Sequence, residues 1–134
     1  MIAFSVISHP KYKYRLDKAI LHQLLNWEDG VKACIDLGWA EIRPGGLLYI
    51  SRGYCWDGAS GPAIDTMSFA RASLVHDALY QLIAAGHVPK KPWKAHADRE
   101  LYDICREDGM GWLRAKWVYL AVKFFGGARD QYSL

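Results

Sequence analysis

Three apolar stretches of helical length, separated by glycine and proline, dominate the second half of the chain. The first, "SFARASLVHDALYQLIAAG", follows Thr66, a suitable N-cap, and runs to Ala85 with Gly86 just past its end. The second starts at Pro92, favoured in a first helical turn, and stops before Gly109. The third, "WLRAKWVYLAVKFFGG", spans about Gly111 to Phe125 and is stopped by Gly126-Gly127. Its apolar positions Trp112, Leu113, Trp117, Leu120, Ala121, Phe124 and Phe125 are expected to pack it on the other two.

The first half is less regular. "AFSVIS" reads as a short strand ended by Pro10. In "LDKAILHQLLNWEDG", residues Leu16, Ala19, Ile20, Leu24 and Trp27 recur at a spacing nearer to helix than strand, with Gly30 to close it. "WAEIRPGGLLYISRGY" reads as a hairpin, two β-rich runs around Pro44-Gly45-Gly46. The fold class is therefore α+β: a small N-terminal β-hairpin or sheet region, then a three-helix unit. At 134 residues, without a linker or repeat, the chain makes one domain over 1–134.

A net charge of +3 is too small to announce a nucleic-acid protein. The clusters "KYKYR" and "PKKPWK" are short, so the field suits anionic lipid or cell-wall polymer at most. Six tryptophans and eight tyrosines are many for this length. They fit either a packed core or a surface that meets lipid, sugar or protein. Cys34, Cys55 and Cys105 are odd in number and lack CxxC spacing, which excludes a disulfide scaffold and a thiolate zinc site. "MIAFSVISHPKYKYRL" does not read as a signal peptide, and no run reaches the ~18 apolar residues of a membrane span. The expected location is the cytoplasm in which the chain is made.

The chemistry concentrates on the first two helices. His76 lies on the apolar stripe with Leu79, Tyr80 and Ile83, and Asp77 points to a neighbouring direction. Asp98 precedes Leu101, Tyr102 and Cys105 at i+3, i+4 and i+7, so it faces inward and needs a partner. Packing of the two helices would supply His76. An acid that holds a histidine, and a histidine that activates water, form a hydrolytic dyad. A buried structural His-Asp hydrogen bond would use the same residues. His96 and Asp98 point about 200° apart, so they do not form a metal pair. His9, His22, His87 and His96 are expected at the surface.

Ahead of these helices stands the loop Gly53-Tyr54-Cys55-Trp56-Asp57-Gly58-Ala59-Ser60-Gly61-Pro62. Its glycines can turn backbone carbonyls toward a ligand. With Asp77, and Asp57 joining, they are hard oxygen donors suited to Ca²⁺ or Mg²⁺, with Zn²⁺ as a further candidate. Trp56 and Tyr80 are the expected substrate contacts.

At these residues the sequence resembles a family catalogued as domain of unknown function 1353, found in phages and prophages. The family pattern reads here as Asp57-Gly58-Ala59-Ser60-Gly61-Pro62, His76-Asp77-Ala78-Leu79-Tyr80, Ala97-Asp98 and a closing "VYLAVKFFGG". The resemblance covers about 40–127; Gly61 stands where a β-branched residue is usual. A looser similarity is to small calcium-dependent phospholipases A, where a glycine-rich calcium loop precedes a His-Asp-x-x-Tyr helix. That likeness implies His76 as general base, Asp98 as its orienter and Asp77 as a metal ligand, although the paired cysteines of the secreted members are missing.

Two functions are expected of such a chain. One is a phage-encoded hydrolase acting on an ester or amide of the host envelope, lipid or peptidoglycan, through His76 and Asp98 with metal assistance. The other is a non-enzymatic virion-associated protein of tail, baseplate or assembly. There the same residues lock the helices together, and Trp27, Trp39, Trp56, Trp93 and Trp112 include contacts to phage structural partners. A small inhibitor of one bacterial protein is a third option.

Overall fold

A computed structural model of the chain describes residues 2–27, 39–57 and 67–125. Thr66, Gly30, Gly126-Gly127, Cys34 and the loop positions Gly58 to Pro62 lie outside the described residues. Among the described residues, six short strands precede three helices: β1 Phe4–Val6, β2 Tyr14–Leu16, β3 Ile20–Gln23, β4 Ala40–Arg43, β5 Leu47–Ile50, β6 Cys55–Trp56, α1 Met67–Ala84, α2 Lys90–Glu107 and α3 Trp112–Phe125. The strands form two antiparallel sheets, ordered β1-β2-β6 and β3-β5-β4. The architecture is α+β, sheets first and helices after.

The expected hairpin around Pro44-Gly45-Gly46 is β4 and β5, paired from Ala40↔Ile50 to Arg43↔Leu47. The helix expected from Leu16 to Trp27 does not form. Leu16 ends β2, and Ile20–Gln23 pairs as β3 with β5, Ile20↔Ile50 through Gln23↔Leu47. Burial there alternates with period two: His22 and Leu24 point inward, Leu21 and Leu25 outward. A strand partner 27 or so residues away rewards that alternation, and local helical spacing loses to it. The change of period also inverts His22, expected at the surface and found 7% exposed.

Gly46 fixes the hairpin against Trp27. It has φ +79°, and a Cβ there would lie 2.7 Å from the indole ring. Gly46→Ala should therefore lower stability by about 1–3 kcal/mol in urea unfolding. Gly45→Ala, at φ +84° with open space around it, should cost only the backbone strain of about 1 kcal/mol. Equal losses in the two variants would remove the steric argument.

The strand β6 ties the sheets to the helices. It pairs with β2 through Tyr14↔Trp56 and Arg15↔Cys55. Trp56 packs with Tyr14 and Phe4, ring centroids 5.4 and 6.0 Å away, and its indole N–H donates to Ser73 Oγ on α1 at 3.0 Å. The helix α1 is buried along almost its whole length, which is why its apolar residues show so little amphipathic pattern. Gly86, at φ +78°, closes it while His87 N–H donates back to Leu82 O. The dihedrals of Lys91 are not helical, so the regular part of α2 runs from Pro92, as the sequence predicts.

One packing expectation is overturned. Trp112, Leu113, Trp117, Leu120 and Phe124 are all exposed, at 38–69%. The helix α3 instead seats through Ala115 and Val118, with Val122 partly buried beside them and Tyr119 edge-on to Tyr102 of α2. Small side chains allow the close approach of the helices, and the bulky stripe is left facing out.

Candidate active site at the α1–α2 interface

His76 is carried by the buried face of α1, and Asp98 by the inward stripe of α2 that includes Trp93, Ala97, Leu101 and Cys105. Packing of the two helices brings His76 Nε2 to 2.9 Å from Asp98 Oδ1. The sequence required a partner for the buried acid, and the histidine is that partner. Since the carboxylate accepts, Nε2 carries the hydrogen. Tyr80, one turn after His76, donates its hydroxyl to the same Oδ1 at 2.5 Å, and its ring lies 4.1 Å from the imidazole between centroids. Lys94 donates to Oδ2 at 2.7 Å. Asp98 is thus held by three side chains while only 2% exposed.

The other imidazole nitrogen, Nδ1, lies 4.0 Å from Asp77 Oδ1. Asp77 is thus the second acid beside the imidazole. Burial opposes a positive imidazole, but Asp77 and Asp98 outweigh it and raise the pKa of His76 above its ordinary value. Burial likewise opposes the charge of Asp98, yet His76, Lys94 and Tyr80 together lower its pKa.

The remaining expected site residues fall differently. Tyr80 is 8% exposed and Trp56 1%, with the polar tip of Tyr80 on Asp98 and that of Trp56 on Ser73. Neither presents its ring to solvent. Asp57 follows Trp56 and is partly buried, and the segment between it and α1 lies outside the described residues. Among the described residues, no three or more His, Cys, Asp or Glu side chains converge as a metal site. A cation at Asp77 would draw its other ligands from oxygen donors such as backbone carbonyls and water. That all-oxygen donor set fits a hard ion such as Ca²⁺ or Mg²⁺ better than Zn²⁺. Burial pushes the Cys105 thiol up to about 12, which removes it as a nucleophile.

A second polar cluster lies around Glu100, two residues past Asp98 and about 200° round α2 from it. Glu100 is fully buried and accepts from His22 Nε2 at 2.7 Å, from Leu25 and Asn26 N–H at 2.9 Å, and from Asn26 Nδ2 at 3.0 Å. Arg71 Nη1 reaches within 3.3 Å of His22 Nδ1, and its other nitrogens pair with Glu107 and Asp108. A signal was available: Trp93, Ala97, Glu100 and Ile104 recur at steps of four, three and four, which places Glu100 on the inner stripe. His96, expected outside, is half-buried edge-on to Trp93, while His9 is exposed as expected and His87 partly so.

A family model described as a protein of unknown function (DUF1353) matches residues 40–122, more than half of the chain, and takes in His76, Asp77, Tyr80, Lys94 and Asp98. No curated protein and no solved structure matches it.

Proposed function

The chain belongs to the DUF1353 family, and for this member we propose a phage-encoded hydrolase of host-envelope esters or amides. The observation that carries the reading is the His76 Nε2–Asp98 Oδ1 bond at 2.9 Å with a second acid beside Nδ1. With Nε2–H committed to Asp98, Nδ1 is the atom left to take a proton from water. The oxygen of that water attacks the carbonyl carbon, and the tetrahedral intermediate collapses as His76 returns the proton to the leaving alkoxide or amine. Asp98 fixes the tautomer, and Tyr80 and Lys94 fix Asp98. A cation at Asp77, with Asp57 as a further oxygen ligand, would supply positive charge that offsets the acid now favouring imidazolium and steadies the oxyanion.

The likeness to small calcium-dependent phospholipases A supports lipid as the substrate, since it sets a metal-binding acid directly after the base. Calorimetric titration of Ca²⁺, Mg²⁺ and Zn²⁺ into metal-free protein tests the assignment. Ca²⁺ or Mg²⁺ should bind the wild type and bind Asp77→Asn at least about tenfold more weakly, with the fold retained. Equal binding by both proteins would take the cation away from Asp77.

One observation favours a second reading, a non-enzymatic virion or assembly protein. His76 is only 6% exposed and Asp98 is satisfied on both oxygens, as in a structural lock between helices. In that reading Trp56 and Trp93, each 1% exposed, belong to the core, and Trp112 is the tryptophan of the expected set with the most open surface.

A further inference from the structure

The dyad makes no use of the outward stripe of α3. Leu113, Trp117, Leu120 and Phe124 follow one another at steps of four, three and four residues, so they form a single ridge along the helix. Their exposures of 67, 49, 38 and 69% are those of side chains left in water. Isolated exposed apolar residues need no explanation, but a continuous ridge of this kind marks an interaction surface. The charges on α3 choose among partners. The helix carries Arg114, Lys116 and Lys123 and no acid at all, and both Lys116 and Lys123 are exposed.

We propose that α3 is a membrane-surface helix, which lays Leu113, Trp117, Leu120 and Phe124 into the headgroup boundary of an anionic phospholipid bilayer with Lys116 and Lys123 against the phosphates. Aromatic and aliphatic residues on one face and lysines beside them are what such a helix needs, and lipid phosphate complements a helix without acids. It lies on the surface and does not cross, since none of the described helices is long and apolar enough to span a membrane. The ridge also ends beside the candidate site. Lys94, which holds Asp98, donates to the carbonyls of Val122 and Lys123 in the last turn of α3, at 3.4 and 3.2 Å. One side chain thus links the lipid-facing helix to the dyad. Only the step from docking to lipid cleavage rests on the hydrolase reading; docking itself does not.

Co-sedimentation of the full chain with vesicles tests the docking. Vesicles of equal parts phosphatidylglycerol and phosphatidylcholine should retain the protein and shift its tryptophan emission to the blue, and phosphatidylcholine alone should retain much less. Trp117→Ala with Phe124→Ala, and separately Lys116→Glu with Lys123→Glu, should each weaken retention by about tenfold or more. All four side chains are exposed, so circular dichroism should match the wild type. Absence of retention on the anionic vesicles, or retention unaltered in both double variants, overturns the proposal. So does a dimer in sedimentation equilibrium that Trp117→Ala with Phe124→Ala converts to monomer, because the ridge would then be covered by a second copy. His76→Gln should bind vesicles like the wild type. A protein that docks and cleaves nothing keeps this inference and loses the hydrolase reading; one that cleaves lipid without docking through α3 does the reverse.

Discussion

His76→Gln should reduce hydrolysis of whichever phospholipid or peptidoglycan preparation the wild type cleaves by about 100- to 10,000-fold, the usual contribution of a general base. Glutamine can still donate to Asp98, so the buried acid keeps a partner, but no basic nitrogen remains to accept the proton of water. His76→Ala is the less informative variant. It leaves Asp98 with only Tyr80 and Lys94 at 2% exposure, and should cost about 1–3 kcal/mol of stability. Loss of stability is expected whether the dyad is catalytic or structural, because in both cases His76 is 6% exposed and bonded across the helix interface. Turnover by a folded variant is what separates the two. A folded His76→Gln protein that cleaves at the wild-type rate would end the dyad assignment.

Glu100→Ala should have the largest effect on folding, about 3–5 kcal/mol in chemical unfolding. It strands the donors of His22, Leu25 and Asn26 around a fully buried position. Glu100→Gln should cost less, because the amide keeps the shape and one acceptor oxygen. The pH dependence follows with a definite sign. Burial works against the charge of Glu100, but His22, Asn26 and the Leu25 and Asn26 amides outweigh it and hold its pKa below the ordinary 4.5. A carboxylate with a depressed folded-state pKa contributes its stability above the unfolded value and loses it as pH falls through the folded one. The melting temperature of the wild type should therefore drop steeply below about pH 4.5, and that of Glu100→Gln should fall less over the same range. Parallel curves would show that Glu100 carries no special charge stabilisation.

Much of this was legible in the chain. The glycine and proline punctuation placed α1, α2 and α3 to within a few residues, because caps and breakers act locally. The inward position of Asp98 followed from Leu101, Tyr102 and Cys105, and the cost of burying an acid demanded a partner. The β-hairpin announced itself by Pro44-Gly45-Gly46. The segment from Leu16 to Trp27 has a spacing that suits a helix until β5 is beside it. Whether Ile20, His22 and Leu24 line one face depends on a partner strand that local spacing does not show. Without that strand in place, local spacing puts His22 at the surface and leaves Glu100 without its histidine.

The sequence by itself determined the three helices, the order of sheets before helices, and the residue types His76, Asp77 and Asp98 at the points where they sit. Those properties depend on neighbours within a turn or two, so local physical chemistry suffices. Only the tertiary structure decided that His76 and Asp98 touch, and that Tyr80 and Lys94 close around the same acid. It alone turned the bulky ridge of α3 outward. That helix offers both a bulky apolar ridge and a face of small residues, and periodicity counts apolar positions without weighing their size. The space beside α2 admitted Ala115 and Val118, and the larger side chains were left on the surface.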